Sequence, residues 1–158
     1  MRNIKYIAVH CSATTPEMVV PISRIKDWHL KRGFNDVGYH FYIRRDGSVE
    51  LGRDLSVAGA HVKGFNSVSI GVCYEGGLNM EMQPDDNRTE RQKASLIKVL
   101  TDLKKDYQNA EIKGHRDFSK DRNNDGKITE DEWLKSCPCF DAKEEYKNLK
   151  YIKNEHRG

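Results

Sequence analysis

The chain has 158 residues, the length of one ordinary domain, and its 37% hydrophobic and 32% charged residues indicate a globular protein with a core rather than a disordered chain. The formal net charge of +3 is too small to indicate a nucleic-acid-binding protein. No apolar run approaches the roughly 20 residues that span a bilayer, and the start of the chain lacks the apolar stretch of a secretory signal, so we expect a monomer made in the cytoplasm without membrane insertion.

The first half of the chain contains one helical pattern among several strand patterns. Period-two alternation in IKYIAVH predicts a strand that ends at His10. The segment PISRIKDWHLKRGF has apolar residues at helical spacing and predicts a helix that stops at Gly33. Two β-rich runs flank Asp46-Gly47 in VGYHFYIRRDGSVELGR, which predicts a hairpin. The continuous apolar run in SVSIGVCYEGG is typical of a strand in the middle of a sheet.

The second half begins with a long amphipathic helix, predicted from about Thr89 to Tyr107 with a capping box formed by Thr89 and Gln92. AEIKGH predicts a strand that ends at His115, FDAKEEYKNL predicts a helix capped by Asp141, and NEHRG predicts a frayed tail. The apolar face of the long helix is predicted to contain Leu96, Ile97, Leu100 and Leu103. Because strands and helices interleave throughout, we expect an α/β fold, a single domain with a central mixed β-sheet flanked by helices.

A zinc site is one hypothesis for the ends of the predicted strands. His10 and His115 both fall at strand ends, where side chains converge, and KSCPCFD offers a thiolate. Two imidazoles and one thiolate suit zinc and leave a fourth position open, which is typical of a catalytic site. Cys11 follows His10 on a strand and points to the opposite face. The residues alone do not choose between Cys137 and Cys139, and a sheet-edge histidine and an inert buried thiol are the structural alternatives.

The segment DRNNDGKITEDE fits the pattern of a calcium loop with an acid at its twelfth position. The preceding residues show no helical period, whereas EDEWLKSC can be helical, so we expect one flanking helix that carries both Glu132 and Lys135. The alternative is a solvated turn rich in Asn and Asp. The predicted calcium ligands at positions 1, 3, 5, 7, 9 and 12 are Asp121, Asn123, Asp125, the carbonyl of Lys127, Thr129 and Glu132.

Five motifs together resemble those of a known enzyme family. VHCSAT, DVGYHFYIRRDGSVELGRD, GAHVKGFNSVSIGVCYEGG, GHRD and KSCPCFD, in this order, look like the motifs of zinc-dependent N-acetylmuramoyl-L-alanine amidases of the phage-lysozyme type, which are related to peptidoglycan recognition proteins. The resemblance implies His10, His115 and Cys137 as zinc ligands, and it alone selects Cys137 over Cys139. It also implies that Tyr39 and Lys135 are catalytic and that His61 is a substrate-binding residue near the cleft.

The implied activity is zinc-dependent hydrolysis of the amide bond between N-acetylmuramic acid and L-alanine in peptidoglycan. We expect residues 1–158 to form one amidase domain with a calcium-loop-like insertion at about 119–133, in which Ca²⁺ is structural while Zn²⁺ is catalytic. Without a signal peptide, the protein would reach the cell wall after release, as a phage or prophage endolysin or a secreted antibacterial effector would. The main alternative is a non-catalytic peptidoglycan-binding module, whereas a calcium sensor needs a second loop and a zinc finger needs a different ligand spacing.

Overall fold

A computed structural model of the chain describes residues 2–152, so the predicted tail lies outside the described residues. Five strands form one sheet, in the spatial order β3 (Val49–Leu51), β2 (Phe41–Ile43), β4 (Ser69–Tyr74), β1 (Tyr6–Cys11) and β5 (Glu111–Gly114). Of the described strands, only β3 is antiparallel to its neighbour. This arrangement confirms the predicted α/β fold with a central mixed sheet. None of the helices within residues 2–152 is long and apolar enough to cross a membrane. The α-helices among the described residues are α1 (Ile22–Lys31), α2 (Glu90–Asp106) and α3 (Ala142–Glu145).

The two faces of the sheet have different roles. On β1, Ile7 and Val9 point into the larger core, which α2 covers, and alternation turns Ala8 and His10 to the opposite face. A smaller core on that opposite face packs α1 against β2 and β4, with Tyr42 fully buried at its centre. The α1 face therefore carries His10 at the carboxyl end of a central strand, beside the smaller core.

The predicted hairpin and long helix are both present. β2 and β3 pair around Asp46-Gly47, and Gly47 adopts the positive φ of +87° that this turn requires. The α2 helix begins with the predicted capping box, in which Thr89 and Gln92 exchange hydrogen bonds. One part of the prediction is wrong, because Ile97 is 48% exposed. Adjacent helical residues lie about 100° apart, so the face that buries Leu96 turns Ile97 outwards.

The structure corrects two helix predictions near the carboxyl end. Asp141 caps the last helix by accepting a hydrogen bond from the Glu144 N–H, but α3 ends after four residues. The predicted exit helix of the calcium-like loop is only a 3-10 turn at Glu130–Glu132, and Trp133 is already extended. The Cys137 carbonyl accepts a hydrogen bond from the Arg116 N–H at 2.9 Å, so the chain crosses to the end of β5 instead of continuing as a helix.

Candidate active site

A cleft of about 850 Å³ opens on the α1 face of the sheet. Its walls come from α1, from the loops that precede β2 and β4, from the turn after β5 and from the segment that carries Cys137. The predicted site residues that line it are Tyr39, His61, His115, Lys135 and Cys137. The fold therefore brings residues separated by almost 100 positions in the sequence to one concave surface.

Three predicted zinc ligands converge beside this cleft. His10 is 1% exposed at the end of β1, and its ring lies 4.7 Å from that of His115 between centroids. The Nδ1 atom of His10 is 3.9 Å from the Sγ atom of Cys137. One nitrogen from each histidine and this sulfur all lie within 4.8 Å of one another. That spacing allows a single ion to contact all three atoms with only small side-chain movements.

Backbone contacts hold the Cys137 segment against the ends of β1 and β5. The Cys11 N–H donates to Cys137 Sγ at 3.2 Å, and the Tyr74 hydroxyl donates to the Pro138 carbonyl at 2.6 Å. Gly114, the last residue of β5, makes this approach possible, because a Cβ atom there would lie 2.6 Å from Pro138 Cδ. His115 follows immediately, so the same close contact places its ring opposite Cys137.

Cys139 lies on the other side of this segment. Its Sγ atom is 3.9 Å from that of Cys11 and 3.3 Å from the Gly77 carbonyl, to which it donates. As expected from strand alternation, the Cys11 side chain points away from His10 and into the larger core. The geometry thus groups Cys137 with the two histidines and Cys139 with Cys11, a distinction that residue spacing alone does not provide.

The histidines around the cleft are held in their neutral form. Burial lowers the pKa of His10 well below its usual value, and the nearby His61, His115 and Lys135 lower it further. Burial also lowers the pKa of His61 to about 3, and burial together with Lys135 lowers the pKa of His115 to about 4. A neutral imidazole keeps one nitrogen lone pair free, so at neutral pH His10 and His115 are suited to bind a metal.

The two predicted catalytic residues both border the cleft but differ in exposure. The Tyr39 ring is half-buried with its centroid 5.1 Å from that of His10, whereas Lys135 is exposed. Burial raises the pKa of Tyr39, so its phenol keeps its proton at neutral pH. The site therefore offers a hydroxyl donor and an ammonium donor on the same concave surface as the ligand group.

His61, the predicted substrate-binding residue, lines the cleft but is only 9% exposed. Its Nδ1 atom lies 2.9 Å from His10 Nε2, and its Nε2 atom lies 3.3 Å from Ser69 Oγ. Both ring nitrogens are therefore engaged inside the protein. Direct contact between His61 and substrate stays a prediction.

Several cleft residues were missed at the sequence level. His29 on α1 accepts a hydrogen bond from the Gly38 N–H through Nδ1 at 2.8 Å, which fixes the backbone just before Tyr39. The Asn66 side chain accepts hydrogen bonds from two successive backbone N–H groups at His61 and Val62. Asn66 lies five residues after His61, and an asparagine at this position in the sequence could have indicated that its side chain fixes the backbone at His61. Other cleft residues that carried no such signal are Trp28, Arg32, Phe34 and Lys63.

The calcium-like loop also brings some of its predicted ligands together. Carboxylate oxygens of Asp121, Asp125 and Glu132 lie within 4.8 Å of one another. Asp121 Oδ2 accepts a hydrogen bond from the Gly126 N–H, while its Oδ1 is buried and has no partner among residues 2–152. Glu132 is 3% exposed, and hydrogen bonds from backbone N–H groups, first that of Thr129, lower its pKa.

The other predicted loop ligands belong to residues that form hydrogen bonds within the turn. The Asn123 side chain accepts a hydrogen bond from the Asp125 N–H, and Lys127 N–H donates to Asp125 Oδ1, as in a turn rich in Asn and Asp. The Thr129 hydroxyl donates to Asp131 Oδ1, and the Thr129 N–H donates to Glu132 Oε1 at 3.2 Å. These hydrogen bonds fold the turn, and they direct some of its side-chain oxygens towards the interior of the loop.

Comparisons with known proteins agree with this fold. The sequence profile of the family described as N-acetylmuramoyl-L-alanine amidase matches residues 1–130. The endolysin of Klebsiella phage KP32 is 41% identical over 150 residues, which cover 95% of this chain and 90% of that protein. The structure of the amidase LysC from Clostridium intestinale URNW superposes with a TM-score of 0.68 at 27% identity, covering 87% of this chain and 77% of LysC. Bumblebee PGRP-SA shares the fold, with a TM-score of 0.69 at 20% identity over 97% of this chain and 86% of its own.

Proposed function

This chain belongs to the N-acetylmuramoyl-L-alanine amidase family and is a peptidoglycan amidase, and we propose that His10, His115 and Cys137 hold the zinc ion for its reaction. The observation that carries the proposal is the convergence of two neutral imidazoles and one thiol within 4.8 Å beside a cleft. This donor set matches the preference of zinc for nitrogen and sulfur, and three protein ligands are typical of catalytic zinc.

Cleavage of the bond between N-acetylmuramic acid and L-alanine makes two demands on the protein. An amide needs a donor to the oxygen that becomes negative and a proton for the departing amine. The bound zinc would polarise the carbonyl and make water a stronger nucleophile. We assign the two protein tasks to Tyr39 and Lys135 as a pair, because one offers a neutral hydroxyl and the other an ammonium group at the same cleft.

The endolysin relatives are consistent with action on the cell wall. We propose that the protein acts there as a monomer after release from the cell that makes it, because a single chain supplies three zinc ligands and the site needs no second copy. A non-catalytic peptidoglycan-binding module would need the cleft but not the ligand group. The position of Cys137 opposite His10 and His115 therefore favours the enzyme.

The direct test is to incubate the purified protein with peptidoglycan and measure new L-alanine amino termini and new reducing sugars separately. We expect amino termini only, and we expect their formation to stop in Cys137→Ser. The matched control is Cys139→Ser, which removes a thiol two residues away that faces Cys11 and should keep most activity. New reducing sugars would indicate a glycosidase, and full activity of Cys137→Ser would rule out the proposed ligand set.

We also propose that the insertion at about 119–133 binds a structural Ca²⁺ ion through its predicted oxygen ligands. The support is the grouping of Asp121, Asp125 and Glu132, together with the Oδ1 atom of Asp121, which is buried and has no hydrogen-bond partner within the described residues. Calcium prefers oxygen ligands of this kind, and the carboxylates would otherwise repel one another. In this proposal Asn123, the Lys127 carbonyl and Thr129 complete the coordination after small local movements.

The calcium proposal predicts that melting temperature rises with free Ca²⁺ while Zn²⁺ is held constant. Glu132→Gln should weaken this response, whereas Glu130→Gln, which changes an exposed acid in the same turn, should preserve it. Differential scanning calorimetry over the micromolar to millimolar range measures the effect. A melting temperature that does not respond to Ca²⁺, with Glu132→Gln behaving like wild type, would leave the loop as an ordinary solvated turn.

A further inference from the structure

His61 contacts His10 on the side of the ring that faces away from Cys137. The two imidazoles meet nearly at right angles, with His61 Nδ1 2.9 Å from His10 Nε2. The other His10 nitrogen, Nδ1, is the one near the Cys137 sulfur. His10 thus presents one nitrogen to the ligand group and the other to His61.

Hydrogen-bond polarity then determines the tautomers of both rings. If His10 Nδ1 binds a metal through its lone pair, the proton of the neutral ring must be on Nε2. His10 Nε2–H therefore donates to His61 Nδ1, which must be the unprotonated acceptor. The remaining proton of His61 is on Nε2, from which it can donate to Ser69 Oγ at 3.3 Å. One consistent assignment satisfies both contacts.

The surroundings of His61 are shaped to hold its ring in this place. The ring lies against Gly71 of β4, where an added Cβ atom would be 2.8 Å from both Cδ2 and Cγ of His61. Asn66 fixes the backbone beneath the ring through two hydrogen bonds of 2.9 Å. A side chain at position 71 would displace the imidazole, so the glycine and the asparagine together define where His61 Nδ1 lies.

We propose that His61, held by Ser69, is a positioning residue that fixes the His10 tautomer and directs His10 Nδ1 towards the metal. The inference rests on the proposed zinc site and adds to it a partner for the first ligand. Metal-binding histidines commonly donate their second ring N–H to such a partner, and loss of the partner typically costs about 10 to 100-fold in metal affinity. Here the acceptor is a second neutral imidazole rather than a carboxylate.

Zinc affinity measured by competition with a chromophoric chelator tests the role independently of catalysis. His61→Ala removes the acceptor and should raise the zinc dissociation constant by about 10 to 100-fold. His61→Asn can place a carbonyl oxygen near the former Nδ1 position and should recover most of the affinity. The matched control is His29→Asn, which changes another buried cleft histidine that does not contact His10 through a hydrogen bond.

The tautomers can be observed directly by NMR of zinc-loaded protein with ¹⁵N-labelled histidine. We expect a protonated Nε2 on His10, an unprotonated Nδ1 on His61, and scalar coupling between these two nitrogens through the hydrogen bond. Ser69→Ala should weaken that coupling while leaving His61 in place. This measurement needs no destabilising substitution, so it decides the question even if His61→Ala does not fold.

The outcomes separate this inference from the proposed function. If wild type binds no zinc, the proposed metal site fails and this inference fails with it. If wild type binds zinc and His61→Ala binds it equally well, only the positioning role is wrong. An increase in KM of His61→Ala without a change in zinc affinity would assign His61 to substrate contact instead. A protonated Nδ1 on His61 would also contradict the proposal.

Discussion

Tyr39 and Lys135 contribute neutral and charged donors to the same cleft, and their removal should affect the chemical step more than zinc binding. We expect Tyr39→Phe and Lys135→Met each to lower kcat by about 100 to 1000-fold, the usual cost of losing a donor to a developing charge. Their zinc affinities should change far less than kcat, because neither side chain belongs to the ligand group. Steady-state kinetics on peptidoglycan fragments measure the effect. Lys98→Met, at an exposed site on α2, is the control, and kcat values within a few-fold of it would remove both residues from the mechanism.

His29 makes stability depend on pH, because burial and the nearby Arg32 and Arg53 lower its pKa to about 4. Between pH 6.5 and 4 the unfolded chain binds more protons at this histidine than the folded chain does. The contribution of neutral His29 to the free energy of unfolding is therefore fully present above about pH 6.5. It is lost as the pH falls towards 4, by up to about 1.4 kcal/mol per pH unit for one group.

Removal of the titrating ring should reduce this pH dependence. Asparagine can still accept the Gly38 N–H, so His29→Asn should show a shallower loss of unfolding free energy than wild type between pH 6.5 and 4.5. Urea unfolding of zinc-free protein at several pH values gives the two curves, and the other buried histidines contribute equally to both. Parallel curves would show that the pKa of His29 is the same in the folded and unfolded states.

At the scale of elements, Arg88 ties α3 to the segment that precedes α2. Its side chain is 2% exposed, lies over the Phe140 ring, and donates hydrogen bonds to Asp86, Glu145 and the Tyr146 hydroxyl. Because α3 has only four residues, it depends on such contacts more than on its own helical bonds. These contacts of Arg88 also anchor the residues that follow the Cys137 segment.

Replacing this arginine should therefore destabilise the carboxyl end. We expect Arg88→Met to lower the unfolding free energy by about 1.5 to 3 kcal/mol, the range for hydrogen bonds to charged groups. Hydrogen exchange should show the loss first in α3. Lys98→Gln removes an exposed ion pair with Asp102 and should change stability by less than about 0.5 kcal/mol, since exposed pairs contribute little. Equal effects of the two substitutions on the unfolding free energy would mean that the contacts of Arg88 do not stabilise the carboxyl end.

The elements also show which features the sequence could predict. β1, the hairpin and α2 follow from local signals, namely alternation, Asp46-Gly47 and the capping box at Thr89. The exit helix of the loop was mispredicted because its residues permit a helix, while a hydrogen bond from the distant Arg116 N–H to the Cys137 carbonyl holds the segment at the end of β5. The separation of Cys137 from Cys139 depends on contacts with β1 and β5. Such long-range contacts have no local signature, which is why motif resemblance selected the first thiol when spacing did not.

At the scale of the whole molecule, the proposed zinc ion would join three segments that are far apart in the sequence. His10 ends β1, His115 follows β5, and Cys137 lies on the segment packed across both strands. These strands are neighbours in the sheet although about 100 residues separate them. An unfolded chain does not assemble these ligands, so zinc should bind the folded state and stabilise the entire domain.

Zinc should therefore raise the melting temperature by mass action. At 100 times its dissociation constant, a ligand that binds only the folded state adds about 2.7 kcal/mol, which corresponds to roughly 5 to 10 °C for a domain of this size. Calorimetry of chelator-treated protein with and without added Zn²⁺ measures the shift. His115→Ala should abolish most of it, while Cys139→Ser should retain it, because Cys139 faces Cys11 instead of the ligand group. An equal shift in His115→Ala would place the stabilising ion elsewhere, since a site that lacks one of three protein ligands cannot bind zinc as tightly.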